Sequence, residues 1–464
     1  MPRGNILGVG SQHTCEERAP ASGIILGMSP NQTGVPPRTV PGMRDLLPDE
    51  TPTWGRLERI ARVVSIQRGY ARVVTPILEP TELFARGVGE ATDIVEKEMY
   101  TFTDKGDRSV TLRPEATASV VRAYFQGGLN QGPQPARLWY EGPMFRYDRP
   151  QAGRYRQFFQ YGIEAIGSDS PWLDVEVIEL AADWLAKCGV TGTRLQLNSI
   201  GDGNCRPAYR EALRDHFRPH LAEMCDDDKR RFDTNPLRLL DCKKTSCTPF
   251  QVDAPSPIDY LCEPCREHHA VVEAGLKGLG IEYDANPRLV RGLDYYTRTA
   301  FEFWHVDLEG AQNALGGGGR YDGLAETLGF AATPAVGFAM GADRVVLALQ
   351  RQGAAAPPPR LAVYVIPTVS DAALPAARLA RDLRAEGWSV VLDAGDRSLK
   401  ARMRQAQKMG ADAVVIIGEE ELKSGRVVIR DMAAAGQREV ASEDLAREVD
   451  RILDSSAPAE GGEA

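Results

Sequence analysis

Two short segments, about twenty residues apart, carry the side chains whose types and spacing most clearly indicate a ligand site. One reads Leu-Val-Arg-Gly-Leu-Asp-Tyr-Tyr-Thr over residues 289–297, and the other reads Gly-Gly-Gly-Gly-Arg-Tyr-Asp-Gly over residues 316–323. Arginine binds phosphate and carboxylate through a planar fork of donors, and tyrosine hydroxyls donate to and accept from polar groups. Glycine lets the backbone come close to a ligand. The two segments therefore predict a lined pocket rather than a core.

A predicted hairpin carries a second concentration of positive charge. Two aromatic-rich runs, residues 137–148 and 157–164, flank a loop that contains Arg149, Arg154 and Arg156. Runs of this type joined by a loop are typical of antiparallel strands. Taken alone, an arginine in a strand is more often part of a structural ion pair than of a ligand site. The cationic tip of this hairpin nevertheless suits an anionic ligand.

These segments resemble the signatures of the histidyl-tRNA synthetase (histidine-tRNA ligase) family of class II aminoacyl-tRNA synthetases. The hairpin resembles motif 2 of that class, residues 69–76 resemble motif 1, and residues 335–344 resemble motif 3. Residues 110–117, Val-Thr-Leu-Arg-Pro-Glu-Ala-Thr, are similar to the family's Thr-Leu-Arg-Pro-Glu-x-Thr element. The resemblance extends from about residue 38 to residue 454.

The resemblance implies an enzyme that ligates L-histidine to tRNA(His). ATP would activate histidine as a histidyl-adenylate, and AMP and pyrophosphate would be released. Mg²⁺ would accompany ATP near its β- and γ-phosphates. The family further implies a homodimer, built around the proline of motif 1. Eight cysteines without a secretory signal predict reduced thiols and a cytoplasmic location.

The resemblance assigns ATP contacts to Arg146, Asp148, Arg291 and Arg344. Arg146 and Arg291 would be the catalytic pair that flanks the α-phosphate, and Arg344 would meet the γ-phosphate. Cations held in place before the reaction stabilise the negative charge that accumulates on the phosphorus and the leaving pyrophosphate. Two carboxylates depart from the family pattern, since Asp148 and Asp343 stand where glutamates are usual.

For the amino acid, the resemblance assigns the α-amine to Glu115 and Thr117, with Ala116 between them. A carboxylate and a hydroxyl two residues apart can both accept hydrogen bonds from an ammonium group. A structural alternative is that Glu115 and Thr117 open a helix after Pro114. Both interpretations are compatible.

Recognition of the imidazole ring is assigned by the resemblance to Glu164 and Tyr296, with Gln160 and Tyr295 beside them. A site that satisfies both ring nitrogens rejects side chains that lack them, because buried polar groups would be left unpaired. Taken alone, adjacent tyrosines in β-type runs are more often packing residues. The intact Arg-Gly-Leu-Asp-Tyr-Tyr string favours the binding role.

Two surfaces are predicted to contact tRNA. Arg149 and Gln151 lie in the motif 2 loop, which in the family meets the acceptor end. Lys400, Arg404 and Lys408 recur every four residues on one side of a predicted helix, in a stretch without acidic residues, and resemble part of an anticodon-binding module. A solvated helix face is the alternative explanation of that charge pattern.

The cysteines suggest a possible metal site in the middle of the chain. Cys242-x4-Cys247 and Cys262-x2-Cys265 have spacings compatible with a four-thiolate zinc site, with Cys225 and His268 as alternate ligands. Reduced structural thiols are the favoured interpretation. Eight cysteines in a chain of 464 residues do not by themselves indicate disulfides.

The fold class predicted is α/β and α+β multidomain. A mixed catalytic domain on an antiparallel sheet would carry a helical insertion and be followed by a C-terminal α/β anticodon-binding domain with a mostly parallel sheet. Ala354 to Pro359, with three consecutive prolines, predicts a stiff linker. The predicted domains are a disordered extension at 1–38, the catalytic domain at 39–200 and 285–350, the insertion at 201–284, the linker at 351–360, the anticodon domain at 361–454 and a disordered acidic tail at 455–464.

Composition sets outer limits on function. The formal net charge is −9, which disfavours non-specific nucleic-acid binding over the whole surface but permits a local basic face. No run of eighteen apolar residues is present, so no membrane span is expected. The first residues are too weakly apolar to read as a signal peptide.

Two non-catalytic classes of protein compete with this interpretation. A regulatory paralogue, such as the partner of ATP phosphoribosyltransferase, resembles the catalytic body but lacks the anticodon domain and catalytic residues. A sensor of uncharged tRNA would be expected to show a degraded Arg291 or Tyr295-Tyr296. Both the residues and the C-terminal module are present here.

Overall fold

A computed structural model describes residues 36–89, 92, 94–308 and 313–456. Most of the predicted extension at 1–38 and of the acidic tail at 455–464 lies outside the described residues. The strands of the catalytic region are β1 (Ala71–Arg72), β2 (Leu78–Pro80), β3 (Tyr100–Thr103), β4 (Ser109–Leu112), β5 (Ala136–Phe145), β6 (Gln157–Ile166), β7 (Thr193–Ser199), β8 (Tyr283–Ala285), β9 (Thr297–His305), β10 (Ala314–Arg320) and β11 (Ala335–Gly341).

The helices of the same region surround two sheets. They are α1 (Thr51–Gln67), α2 (Thr81–Val88), α3 (Thr117–Gln126), α4 (Pro171–Lys187), α5 (Arg206–Phe217), α6 (Asp226–Thr234), α7 (Glu263–Gly278), α8 (Leu324–Thr327) and α9 (Ala342–Arg351). A π-helical turn covers Ile94–Glu98, and 3-10 turns cover Leu129–Gln131, Arg218–His220, Pro236–Asp241, Thr248–Gln251 and Pro257–Tyr260.

The larger sheet has eight strands in the order β1-β5-β6-β11-β10-β9-β7-β8 within the described chain. Its inner pairs are antiparallel, whereas the edge strands β1 and β8 each run parallel to their neighbour. A smaller antiparallel sheet has the order β2-β4-β3. The predicted antiparallel catalytic sheet is confirmed, with parallel pairing confined to its two edges.

One face of the large sheet packs against helices, and the other lines a cavity, as the alternation of side chains along β6 shows. On β6, Tyr161, Ile163 and Ala165 point into a core shared with α1, α4, α7 and α9. The alternate residues Gln160 and Glu164 line a cavity on the opposite face. Because successive side chains of a strand point to opposite faces, β6 separates the helical layer from the site.

The insertion packs partly against the catalytic body. Its helices α5 and α6 join a core that includes residues of β5 and α3. Its last helix, α7, contributes Val272 and Leu276 to the core under α4. The insertion therefore contacts both faces of the sheet region.

The C-terminal region contains β12 (Leu361–Pro367), α10 (Ala373–Ala385), β13 (Val390–Leu392), α11 (Leu399–Lys408), β14 (Ala411–Ile417), α12 (Glu419–Ser424), β15 (Arg426–Asp431), β16 (Gln437–Ala441) and α13 (Leu445–Ser456). The five strands have the order β13-β12-β14-β15-β16. The first three are parallel, and β15 and β16 form an antiparallel hairpin. The α/β class is confirmed, but the expectation of a mostly parallel sheet missed this hairpin.

Among the described residues of the whole chain, no helix has the length and apolarity needed to cross a membrane.

A buried charged cluster ties the glycine-rich strand to the helical layer. Arg320, at the end of β10, is fully buried and donates to the carboxylate of Asp174 on α4, with Nε 3.1 Å from Oδ2. His268 on α7 donates from Nε2 to Oδ1 of Asp174 at 3.1 Å. Burial opposes ionisation, but the hydrogen bond from His268 and the charge of Arg320 lower the pKa of Asp174. One carboxylate thus joins three elements.

Replacing Asp174 by alanine should reduce the free energy of unfolding by about 3–5 kcal/mol, because it leaves a buried arginine without its counter-charge. Urea denaturation followed by tryptophan fluorescence would measure this, since Trp184 lies in the adjoining core. Asp169→Ala is the matched control, because Asp169 is exposed in the preceding loop. Equal stability of the two variants would contradict a structural role for the cluster.

Candidate functional site

A cavity of about 250 Å³ opens on the site face of the large sheet. Most of the residues predicted to bind ligands line it: Glu115, Thr117, Arg146, Asp148, Gln160, Glu164, Arg291, Tyr295, Tyr296 and Arg344. They come from α3, the β5–β6 hairpin, the loop before β9 and the start of α9. The fold therefore gathers side chains that are up to 229 positions apart in the sequence, from Glu115 to Arg344.

Glu164 is the centre of a buried hydrogen-bond network. Its Oε1 accepts from the hydroxyl of Thr117 at 2.8 Å and from that of Tyr140 at 3.3 Å. Its Oε2 accepts from the hydroxyl of Tyr321. The side chain is 1% exposed. Three hydroxyls therefore fix the orientation of one carboxylate at the base of the cavity.

Burial raises the pKa of Glu164 to about 8, although hydrogen bonds from Tyr321 and Thr117 oppose the shift. A carboxyl group with this pKa exchanges its proton near neutral pH, and a cationic ligand would favour its ionised form. Perturbed carboxyl groups in a cleft are candidate functional residues.

Two glycines make room for this network. An added Cβ at Gly337 on β11 would collide with Oε2 of Glu164, and one at Gly162 on β6 would collide with the phenol of Tyr140. Gly316 and Gly317 line the cavity and sit between neighbouring strands in the same crowded way. The glycines at the pocket therefore leave room for neighbouring side chains as well as for a ligand.

Glu115 performs the structural task that the sequence offered as an alternative. Its carboxylate accepts from the backbone N–H of Thr117 at 2.6 Å and of Ala118 at 3.0 Å, at the start of α3. Burial raises the pKa of Glu115 in spite of these bonds. Glu115 also lines the cavity. Ala116, by contrast, is buried in the core behind it and does not line the cavity.

Arg146 and Arg344 approach the cavity from the hairpin and from α9. Arg146 donates from Nε to the carbonyl oxygen of Pro114 at 2.9 Å, and its guanidinium lies 5.2 Å from the ring centroid of Phe158. Arg344 donates from Nη1 to the carbonyl oxygen of Ala314 at 2.5 Å. Burial lowers the pKa of both residues, that of Arg344 to about 10 with a further contribution from the charge of Arg154. An anion in the cavity would relieve this crowding of cations.

Arg291 faces the same cavity from the loop before β9. It pairs with the carboxylate of Glu302, and its guanidinium lies 5.3 Å from the ring centroid of Tyr296. Against the opposing effect of burial, the charge of Glu302 raises the pKa of Arg291. Its Nε is buried with no hydrogen-bond partner among the described residues, and so is Oε1 of Gln160. Both residues line the cavity.

Tyr295 and Tyr296 are both mostly buried, so packing is part of their role. Their rings are 4.7 Å apart, and Tyr295 contacts the ring of Tyr321 edge-on at 5.7 Å. The backbone carbonyl of Tyr296 accepts a hydrogen bond from Arg206 of the insertion. Both rings still line the cavity beside the Glu164 network.

The hairpin loop is ordered by its own charges. Asp148 pairs with Arg154 and accepts from the backbone N–H of Arg149 at 2.6 Å. Arg156 lies with its guanidinium 3.7 Å from the ring centroid of Tyr147. Arg149 and Gln151 are exposed at the tip and do not line the cavity. The predicted acceptor-end contacts therefore lie on an accessible surface.

Asp343 has a structural partner as well as a place in the cavity wall. Its Oδ2 accepts from the backbone N–H of Phe159 at 2.9 Å, and its Oδ1 is 3.7 Å from Nη2 of Arg44. It thereby links the start of α9 to β6. The aspartate at this position, which is shorter than the family's usual glutamate, thus accepts a hydrogen bond from the backbone of β6.

Four residues of the site were not assigned roles from the sequence. Tyr140 and Tyr321 donate to Glu164, Glu302 pairs with Arg291, and Phe158 lies beside Arg146. Tyr321 lies two positions after the last glycine of the run, and Phe158 is two positions from Gln160 on the same face of β6. Their positions next to residues already assigned to the site were the signals from which the sequence could have indicated them. The pairing of Glu302 with Arg291 depends on loop geometry that periodicity does not indicate.

The predicted four-thiolate zinc site is wrong as a set. Cys242 and Cys247 lie in one group with Cys225 and Asp228, whereas Cys262 and Cys265 lie in another with Cys205 and Asp202. His268 is buried against Asp174 and belongs to neither group. Spacing along the chain suggested one site, because it does not show which cysteine pairs lie close together in the folded protein.

On α11, Lys400, Arg404 and Lys408 are all exposed. Arg402 instead turns inward, where its Nε donates to Asp393 at 2.7 Å. Of the apolar residues on this helix, Ala406 is buried, whereas Leu399 is 43% exposed. The three exposed bases leave one continuous cationic side available.

Comparison with known proteins identifies close relatives. A model of the histidyl-tRNA synthetase family matches residues 42–202 and 251–345, and a model of an anticodon-binding domain matches residues 362–452. The histidine-tRNA ligase of Desulforamulus reducens is 50% identical over 405 residues, which are 87% of this chain and 96% of that protein. That of Pelotomaculum thermopropionicum is 52% identical over 400 residues, covering 86% and 94%. The solved structure of apo S. aureus histidyl-tRNA synthetase is 36% identical, with a TM-score of 0.75 and coverage of 89% and 99%.

The raised pKa of Glu164 predicts a pH-dependent stability. Glutamate in an unfolded chain titrates near pH 4.3, so the folded protein holds this proton more tightly, and the stability it contributes falls as pH rises from about 4 to about 8. Glu164→Gln removes the titration. The thermal midpoint of the variant, measured without ligands, should therefore fall less between about pH 6 and pH 8 than that of the native protein.

Glu58→Gln is the control, because Glu58 is exposed on α1 and its replacement should leave the native pH profile unchanged. Parallel profiles for the native protein and Glu164→Gln would show that Glu164 is ionised throughout this range.

Proposed function

The chain belongs to the histidyl-tRNA synthetase family, and we propose that the cavity bounded by Arg146, Glu164 and Arg291 is where it activates histidine. The enzyme ligates L-histidine to its tRNA in an ATP-dependent reaction through a histidyl-adenylate, releasing AMP and pyrophosphate. The observation that carries the assignment of the site is the meeting, in one cavity, of three arginines with a buried network of carboxylate and hydroxyls.

Arg146, Arg291 and Arg344 form the ATP end of the proposed site, with Asp148 at its rim. An oxygen of the histidine carboxylate attacks the α-phosphorus, and the bond to pyrophosphate breaks. Negative charge then grows on the phosphorus and the leaving group. Arg146 and Arg291 would stabilise that charge without reorganising, because their neighbours already hold them in position. Arg344 would bind the γ-phosphate.

The ion pair between Arg291 and Glu302 supports a catalytic role rather than opposing it. Glu302 holds one side of the guanidinium and also accepts from Nε1 of Trp304 at 2.8 Å. The Nε of Arg291 remains without a partner among the described residues. An arginine that is held in position before ATP binds is suited to bind a phosphate oxygen at a fixed place.

Glu115, Thr117 and Glu164 form the amino-acid end. We assign the α-amine to Glu115 and Thr117, next to the backbone of Ala116, and the imidazole to Glu164 and Tyr296 with Gln160 and Tyr295 beside them. Three hydroxyls hold the carboxylate of Glu164 in one orientation, so that an imidazole N–H would meet an acceptor that is already in position. Gln160 and Tyr295 line the same part of the cavity.

Mg²⁺ is proposed to enter with ATP. This ion takes mostly phosphate oxygens and waters and needs few protein ligands. Glu302 lines the cavity and supplies a carboxylate of the type that Mg²⁺ accepts. When bound, the ion would neutralise charge on the β- and γ-phosphates.

The second half-reaction joins histidine to tRNA. A ribose hydroxyl of the terminal adenosine attacks the carbonyl carbon of the adenylate, and the bond to AMP breaks. The exposed Arg149 and Gln151 are proposed to meet the acceptor end, and Lys400, Arg404 and Lys408 the anticodon stem and loop. Phosphate contacts of this kind position the RNA and carry little sequence information. Because aminoacylated tRNA is used in translation, we propose that the enzyme acts in the cytoplasm.

A homodimer through motif 1 is the assembly that we propose. The segment after β1 exposes Val74 by 78%, Ile77 by 43% and Leu78 by 47%. β1 is an edge strand of the large sheet. Exposed apolar residues beside an open strand edge are typical of a covered interface, and a second copy of the chain would cover them.

Arg291→Ala should slow histidine-dependent exchange of pyrophosphate into ATP by about 10²–10³-fold, because it removes charge stabilisation in the transition state. The native enzyme should support exchange with histidine and not with the other amino acids run beside it. Arg288→Ala is the matched control, since Arg288 is exposed three positions upstream. An unchanged rate in Arg291→Ala, with an intact thermal midpoint, would exclude the assigned role.

Val74→Glu should shift the protein from dimer to monomer, because it places a charge in the proposed interface. Sedimentation velocity measures this directly. Val306→Glu changes a residue of similar exposure, 57%, outside motif 1 and should leave the dimer intact. A native protein that sediments as a monomer would reject the proposed assembly.

A further inference from the structure

The insertion contains six of the eight cysteines of the chain. They form two groups, each with three thiols and one aspartate whose possible ligand atoms all lie within 4.8 Å of one another. The 225 cluster consists of Cys225, Asp228, Cys242 and Cys247, and the 205 cluster consists of Asp202, Cys205, Cys262 and Cys265. Neither cluster belongs to the cavity described above.

The 225 cluster has the dimensions of a tetrahedral site. The sulfurs of Cys225 and Cys242 are 3.9 Å apart. A tetrahedron of zinc–sulfur bonds of about 2.3 Å has edges of about 3.8 Å. The backbone N–H of Cys225 donates to the sulfur of Cys247 at 3.3 Å. Such a bond orients a sulfur and stabilises its thiolate form, which is the form that binds metal.

Asp228 supplies an independent indication of a cation. It is fully buried, and its Oδ2 has no hydrogen-bond partner among the residues that the structure describes. The other oxygen, Oδ1, lies 3.5 Å from Nη1 of Arg231. A buried carboxylate oxygen without a partner is costly. A metal ion held with the three sulfurs would satisfy it.

The 205 cluster combines two short spacings, Asp202-x2-Cys205 and Cys262-x2-Cys265. The backbone N–H of Asp202 donates to the sulfur of Cys205 at 3.2 Å. Oδ1 of Asp202 lies 3.5 Å from the sulfur of Cys205 and 3.8 Å from that of Cys262. Cys205 and Cys262 immediately precede α5 and α7, where the helix N-termini favour a negatively charged sulfur. The cluster connects the first and last helices of the insertion.

Disulfide bonding does not account for either cluster. Each has three sulfurs, so one thiol would remain after any pairing within it. A disulfide in the 225 cluster would also leave Oδ2 of Asp228 unsatisfied. Three thiolates and one carboxylate, by contrast, complete a closed four-coordinate shell, which is the arrangement of structural zinc sites.

We propose that each cluster binds one Zn²⁺ through three thiolates and one carboxylate, so that the insertion carries two structural metal ions. Neither shell leaves a position open for water or substrate, so the ions would stabilise the fold and take no part in the chemistry. Their binding energy would contribute to folding of the insertion, which has little regular secondary structure between α6 and α7.

The two clusters adjoin the residues that hold the catalytic loop. Arg206 follows Cys205 and donates to the carbonyl oxygen of Tyr296. Arg238, four positions before Cys242, donates from Nη1 to the carbonyl oxygen of Arg291 at 3.2 Å. Bound ions would therefore also restrict the backbone of the loop that carries Arg291 and Tyr296.

The test is metal analysis of the full chain, purified without a metal-binding tag under reducing conditions and supplied with Zn²⁺. Two zinc ions per chain are expected after exhaustive dialysis. Cys242→Ser and Cys265→Ser should each retain one ion. Cys188→Ser is the control, because Cys188 is equally buried but lies outside both clusters, and it should retain two.

Asp228→Asn provides a second test if a serine variant does not fold. It keeps the shape of the side chain but weakens the ligand, so zinc should be lost to a chelator more readily than from the native protein. Chelation should lower the thermal midpoint of the native protein and of Cys188→Ser alike. Co²⁺ in place of Zn²⁺ should give the intense visible absorption of tetrahedral thiolate sites.

Absence of bound zinc in the native protein, or a disulfide among these cysteines after purification under reducing conditions, would overturn the proposal. One ion that is lost in Cys242→Ser and kept in Cys265→Ser would support the 225 cluster and overturn the 205 cluster. The reverse pattern would overturn the 225 cluster.

Discussion

Glu164 is a carboxylate that the protein has removed almost completely from water, and the arrangement of the site depends on how that cost is offset. Hydroxyls from α3, β5 and the segment after β10 donate to its two oxygens, and glycines on β6 and β11 provide the space that the group and its partners occupy. Each contact comes from a different element, so the carboxylate can be satisfied only when the sheet is fully assembled. A buried polar group of this kind specifies one geometry because every alternative leaves a donor or acceptor unpaired.

The opposite end of the cavity is governed by like charges. Arg146 and Arg344 are drawn together with Arg291 and Arg154 in a confined space, where burial already disfavours their ionisation. Glu302 and Asp148 offset part of this repulsion but do not use every donor. A polyphosphate would supply the remaining negative charge. One end of the cavity carries carboxylates and the other carries arginines, and this difference would orient the proposed substrates, with a cationic amine at one end and an anionic nucleotide at the other.

Much of this arrangement was accessible from the sequence, for identifiable reasons. The family resemblance singled out Gln160 and Glu164, and the Pro-Glu-x-Thr string marked both a helix start and a polar pair. Antiparallel pairing around β6 followed from the aromatic runs and their loop. Contacts between distant loops were not accessible, which is why Tyr321, Glu302 and the grouping of the cysteines escaped prediction. The hairpin of β15 and β16 was missed because its strands are short and lie among charged residues, where alternation is weak.

The contact between Trp304 and Glu302 has a consequence for observing the enzyme at work. The indole N–H donates to the same carboxylate that holds Arg291. A nucleotide bound to Arg291 as proposed would therefore change the electrostatic environment of a natural fluorophore that contacts the same carboxylate. Emission from this indole can therefore serve as an intrinsic signal of nucleotide arrival, and single-tryptophan variants would isolate it without attaching a dye.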